Sequence, residues 1–127
     1  MCGLISLIAK RDVGFFNKHA DIVQQMLYAD AVRGWDATGL FGITKEGNVD
    51  IVKRAAPPSL FFQTLEYQEF HKKIVSKYHF VIGHNRKATH GEKRNQDAHP
   101  FWDKENNICL VHNGMISNHK EFCKEAT

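Results

Sequence analysis

The feature that most constrains the fold of this chain is GLFGITKEGNVDIVKRA, residues 39–55. Two runs rich in apolar and β-branched residues, 39–44 and 48–55, flank the polar loop Lys45-Glu46-Gly47, with a glycine where a hairpin turn needs a positive φ. Strands joined so tightly pair antiparallel, because a parallel crossover needs roughly a dozen residues or more. A strictly alternating βα architecture is therefore excluded for this part of the chain.

The remaining segments agree with that constraint. CGLISLIA, residues 2–9, is a continuous apolar run and reads as a strand buried on both faces. From Asn17 to Val32 the residues Ile22, Val23, Met26, Leu27 and Ala31 recur at helical spacing, with Asp21 in the first turns and Gly34 as the stop. Pro57 and Pro58 break the chain before a second amphipathic helix, Glu66 to Lys77, whose stripe is Tyr67, Phe70 and Ile74, continued by Tyr78. YHFVIGHNR, 78–86, reads as a strand with a polar end. The stretch from Lys87 to Asn107 is polar and rich in turn formers, and it leads to a short strand, ICLVH, 108–112. A last helix is expected from Ser117 or Asn118, with Glu121 completing a weak capping box. The order β-α-β-β-α-β-β-α with hairpins predicts an α+β fold on antiparallel sheet.

Composition narrows the class. A chain of 127 residues is expected to form one domain, and 43% hydrophobic with 24% charged residues is ordinary for a globular protein. No apolar run approaches bilayer length, and the opening stretch lacks the basic start and length of a signal peptide, so a cytoplasmic protein without a membrane partner is expected. Cys2, Cys109 and Cys123 form no CxxC pair and are expected to be free thiols. The formal charge of +3 comes from basic residues scattered among acids, which argues against a nucleic-acid partner.

Three polar clusters stand at strand ends: RGWDATG at 33–39, GHNRKATHGE at 83–92 with DAHPF at 97–101, and HNGMISN at 112–118. Loops carried by rigid strands are where reactive groups collect. His84, His90, His99, His112 and His119 have no zinc-type spacing, so no metal is expected, and without a Walker loop or GxGxxG no nucleotide cofactor is expected either. Cys2 has two readings. It is a small apolar filler of a strand, or, once Met1 is removed, a terminal nucleophile whose own α-amine, titrating near 7.7–8.0 in model compounds, serves as base. The small side chain at position 2 permits that removal.

In order along the chain, MCGLISLI, RGWDATG, GHNRKATHGE, DAHPF and HNGMISN resemble the successive signatures of class II (N-terminal nucleophile) glutamine amidotransferases. The resemblance implies an Ntn-hydrolase-like αββα sandwich of antiparallel sheets between helices, with residues 1–127 forming the N-terminal portion of a glutamine amidotransferase type 2 domain. It implies that Cys2 is the nucleophile toward the glutamine side-chain amide, and that Asn113 and Gly114 form the oxyanion hole. Arg86 corresponds to the arginine that clamps the α-carboxylate, with Thr89 and His90 around the same group. Arg33 and Gly34 correspond to the loop lining the nucleophile's pocket. Asp36 matches that loop's acid, either as a pocket group or as a turn or cap, and His99-Pro100 resembles a structural turn beside the site.

Two departures stand out. Lys87 occupies a position that is apolar or aromatic in several family members. The family domain also continues beyond HNG to an acidic residue for the substrate's α-amino group, which no acid between Glu92 and Glu125 matches. The expected partners are accordingly glutamine as substrate and a synthase or transferase chain, or a missing C-terminal segment. Self-association is a further expectation, because open strand edges and apolar faces favour it. A non-catalytic binding or regulatory module with the same fold is the alternative reading.

Overall fold

The computed structural model describes residues 1–88, 93–105, 107–118 and 121. Strand β1 (Gly3–Ile8) leads to helix α1 (Asn17–Asp30) and a 3₁₀ turn at Ala31–Arg33. The hairpin β2 (Ala37–Thr44) and β3 (Val49–Arg54) follows, then helices α2 (Pro58–Phe61) and α3 (Leu65–Ser76) and strand β4 (Tyr78–Arg86). Two short strands, β5 (Phe101–Asp103) and β6 (Ile108–Leu110), come last. The main sheet has the order β1-β4-β2-β3 and is antiparallel throughout, while β5 and β6 form a separate two-stranded ladder.

The hairpin is formed as expected, with Gly47 at φ 93°. Helix α1 buries Ala20, Val23 and Leu27, and α3 buries Tyr67, Phe70 and Ile74. Both helices have local reasons to start where they do. The His19 ring accepts a hydrogen bond from the Phe16 N–H at 2.8 Å, and the Thr64 hydroxyl accepts one from the Tyr67 N–H at 3.3 Å. The helical residues pack against Ile5, Leu40, Val52 and Val81, which the two-residue period of the strands places on one sheet face. The two tyrosine hydroxyls at this core find partners: that of Tyr67 donates to Gln24 Oε1 at 3.0 Å, and that of Tyr78 to Asp50 Oδ2 at 2.7 Å.

Several expectations are corrected. Strand β1 is not buried on both faces, since Leu4 and Ile8 are 45% and 72% exposed while Ile5 is buried. It is the edge strand of a sheet whose described helices cover one face only, so alternate residues face outward. Pro57 and Pro58 do not merely break the chain. They start α2, because proline's fixed φ suits a first helical turn and its missing N–H costs nothing there. The polar stretch 87–107 contains β5, and β6 ends at Leu110 instead of His112. The last expected helix falls largely outside the described residues, apart from a bond from the Glu121 N–H to the Asn118 carbonyl at 3.0 Å.

The α+β class is as read from the sequence, and helices against antiparallel sheet are compatible with an Ntn-hydrolase-like layering. Among the described residues no helix is long and apolar enough to cross a membrane. Ile74, wholly buried, and Leu65, 75% exposed, on the same helix make a test of where the core sits. Ile74→Ala is expected to cost about 2–5 kcal/mol in urea unfolding and Leu65→Ala about 0.5 kcal/mol or less. Equal midpoints for the two variants would contradict the packing described.

Candidate active site

Four segments meet at Cys2. The pleat of β4 organises them, because successive side chains of His84-Asn85-Arg86 leave opposite faces of the sheet. Asn85, fully buried, points to the helices and donates from Nδ2 to the Leu27 carbonyl at 2.7 Å. His84 therefore points the other way, where its ring stacks on His99. The chain leaving β4 then passes the thiol: the Lys87 N–H donates to Cys2 Sγ at 3.4 Å, and the Lys87 carbonyl oxygen lies 3.7 Å from the same sulfur.

The loop 33–36 holds that strand end in place. The Asp36 N–H donates to the Arg86 carbonyl at 2.9 Å, and Asp36 Oδ2 accepts from the Ala88 N–H at 2.8 Å. Its other oxygen pairs with Lys93. The hydrogen bond from Lys93, then the Ala88 N–H and the positive charges of Lys93 and Arg86, hold the Asp36 carboxyl below the usual aspartate range. Gly34 lets the two backbones touch, since a Cβ there would lie 2.5 Å from the Arg86 carbonyl carbon and 2.6 Å from the Lys87 nitrogen. Arg33 closes the loop by donating from Nε to the Cys2 carbonyl at 3.3 Å.

The last segment comes from the far end of the sequence. The Cys2 N–H donates to Asn113 Oδ1 at 3.0 Å, across 111 positions. The Asn113 amide is thus oriented with its oxygen at the Cys2 nitrogen, leaving its NH2 group to face outward from that bond. Gly114 follows and is exposed.

Of the residues singled out in the sequence, the structure brings together Cys2, Arg33, Gly34, Asp36 and Asn113, with the Arg86 backbone between them. The positive charge of Arg86 contributes to lowering Asp36, Asp97, His84 and His99. Thr89 and His90 lie outside the described residues. Asp36 joins the two loops, through the Ala88 N–H and Lys93. Among the described residues no three His, Cys, Asp or Glu side chains gather as a metal site.

Sequence reading missed Lys87 as a neighbour of the thiol through its backbone, the pairing of Asp36 with Lys93, and the roles of His84, Asn85 and Lys53. Only the Asn85/His84 pair had a signal, the alternation along 78–86. Lys53 had none, because its partners are the carbonyls of Ala98 and Pro100, 2.8 and 3.0 Å from Nζ.

No family model matches the chain. Curated relatives do. The glutamine–fructose-6-phosphate aminotransferase (isomerizing) of Pectobacterium atrosepticum is 35% identical over 120 residues, covering 94% of this chain and 17% of the relative. Those of Shigella flexneri and Escherichia coli K12 are 34% identical over 125 residues, covering 98% of this chain and 18% of each relative. The chain is a homologue of these aminotransferases. Enzymes named for glutamine and an amino transfer agree with the resemblance to class II glutamine amidotransferases carried by the motifs, and the aligned region takes in nearly every residue of the chain. The chain itself spans under a fifth of the relatives' length.

The ion pair at Asp36 sets a pH dependence. A carboxyl whose folded pKa is lowered contributes stability above its unfolded value, ordinarily about 3.8, and loses it as the pH falls through the folded value. Wild type is therefore expected to exceed Asp36→Asn in urea midpoint at about pH 6, with the gap closing below about pH 4. A gap that stayed constant or widened on acidification would count against the pairing.

Proposed function

We propose that residues 1–127 are the N-terminal portion of a glutamine amidotransferase type 2 domain and carry its glutaminase half-reaction. The observation that supports this reading best is the bond from Cys2 to Asn113, which joins the first and last motifs of the homologous region at one point. In this reading Met1 is removed and the freed α-amine of Cys2 takes the thiol proton. The Sγ electron pair then attacks the side-chain carbonyl carbon of glutamine. The resulting oxyanion is held by the Asn113 side-chain amide and the Gly114 N–H, a type of donor worth about 2.7–4 kcal/mol each in other enzymes.

Collapse of the tetrahedral species breaks the carbon–nitrogen bond. The amine returns its proton to the leaving group, so ammonia departs and a γ-glutamyl thioester remains. Water, deprotonated by the same amine, hydrolyses the thioester to glutamate and restores the thiol. Arg86 binds the α-carboxylate with its planar fork, helped by Thr89 and His90, while Arg33 and Gly34 shape the pocket. No cofactor or metal enters this scheme. The ammonia goes to an acceptor bound by a synthase or transferase partner chain, or by a further segment of the same polypeptide, in the cytoplasm.

The alternative reading is a non-catalytic binding or regulatory module. It needs no free amine at Cys2, whose backbone N–H already has a partner in Asn113 Oδ1.

A glutamine-analogue diazo-ketone separates the two. It is expected to label Cys2, with loss of labelling in Cys2→Ser. Cys109, whose thiol burial pushes up to about 11, should stay unmodified as an internal control. Ammonia release from glutamine should fall about 10²–10³-fold in kcat for Asn113→Ala. For Arg86→Gln, KM should rise about tenfold to a hundredfold, as expected for charge-assisted bonds worth about 1.5–3 kcal/mol. Labelling that survives Cys2→Ser would remove the nucleophile from this scheme.

A further inference from the structure

Two imidazoles outside the scheme above are built into the base of the HNG loop. His84 of β4 and His99 stack with ring centroids 4.1 Å apart and planes inclined by 14°. Each reaches the backbone of His112, the residue before Asn113. His84 Nε2 lies 3.1 Å from the His112 carbonyl oxygen, and the His112 N–H donates to His99 Nδ1 at 3.0 Å. A carbonyl only accepts, so the His84 proton is on Nε2. An amide N–H only donates, so His99 Nδ1 is bare and its proton is on Nε2.

The stack is itself held from below. Lys53 of β3 donates to the carbonyls on both sides of His99, those of Ala98 and Pro100, and its ammonium lies 5.0 Å from the Phe101 ring centroid. Gly39 admits the His99 carbonyl, which would lie 1.9 Å from a Cβ at that position. The groups facing the pair are Arg86 on β4, His112 on the loop and Lys53 on β3, the last with Asp97 and Cys109 beside it. Burial first, then neighbouring positive charge, holds His84 down at about 4 and His99 at about 3, so both rings stay neutral near neutral pH.

We propose that the His84–His99 stack is a positioning pair that fixes both backbone groups of His112 and thereby sets the direction in which Asn113 and Gly114 face the Cys2 thiol. Its kinetic consequence rests on the glutaminase reading, whereas its geometric consequence does not. Neither ring touches the reacting atoms in this arrangement.

The test uses the full chain and the variants His99→Phe and His99→Asn. Phenylalanine keeps a ring against His84 but offers no acceptor, while the asparagine Oδ1 can take the place of Nδ1. The His112 amide is expected to exchange with deuterium at least about tenfold faster in His99→Phe, with most of the protection restored in His99→Asn. In wild type, imidazole nitrogen shifts should show both rings neutral with the proton on Nε2 down to about pH 5. The kcat for ammonia release should fall at least about tenfold in His99→Phe and recover in His99→Asn, with KM for glutamine changing less than about threefold, because Arg86 is untouched. Equal exchange of the His112 amide in wild type and both variants, or a proton on His99 Nδ1, would overturn the proposal. Absence of ammonia release from wild type would instead strike the glutaminase reading, and the exchange and tautomer measurements would still decide the positioning pair.

Discussion

The pleat of β4 is the constraint on which the rest of the structure depends. Three consecutive residues of this inner strand are committed to three different tasks by their alternation: Asn85 to the Leu27 carbonyl in the core, His84 to the His99 stack on the opposite face, and Arg86 to the strand end. A slip of one residue would drive an imidazole into the helix layer and an amide out of it. The antiparallel register with β1 and β2, Gly3 and Thr38 both against Asn85, therefore fixes core and site together. Core packing and the candidate site share one strand here, so the motif's polar residues serve the fold and the site by turns.

What the sequence revealed and what it concealed divide along the same physical line. Local signals were sufficient where neighbours in sequence decide the outcome: the hairpin around Gly47, the amphipathic stripes of α1 and α3, and the strand at 78–86. Long-range partners were not visible. The outward face of β1 could not be read from an apolar run, because whether Leu4 and Ile8 are covered depends on which strand lies at the edge. Strand β5 has three exposed residues and no alternation to betray it. Pro57-Pro58 signals a break and a helix start with the same chemistry, and only packing of Phe61 into the core selects the second.

At the site the motifs were legible as a set and their mechanics were not. RGWDATG reads as a polar loop, yet its aspartate is a cross-brace between Ala88 and Lys93, and its glycine a place where two backbones touch. Histidines without metal spacing looked unassigned. In the fold two of them become neutral hydrogen-bonding rings, because burial beside Arg86 makes a second proton costly. The homology with glutamine–fructose-6-phosphate aminotransferases extends across all of these motifs, so the same loops are the ones to compare in those relatives.

The central claim is that Cys2 works as a terminal residue, with its nitrogen beside Asn113 as an amine instead of an amide. The mass of the N-terminal peptide released by proteolysis of the protein isolated from the cell that makes it tests this most directly. The account predicts a peptide that begins at Cys2, lighter by one methionine residue than the same peptide with Met1. A peptide that retains Met1 in protein actively releasing ammonia from glutamine would contradict it.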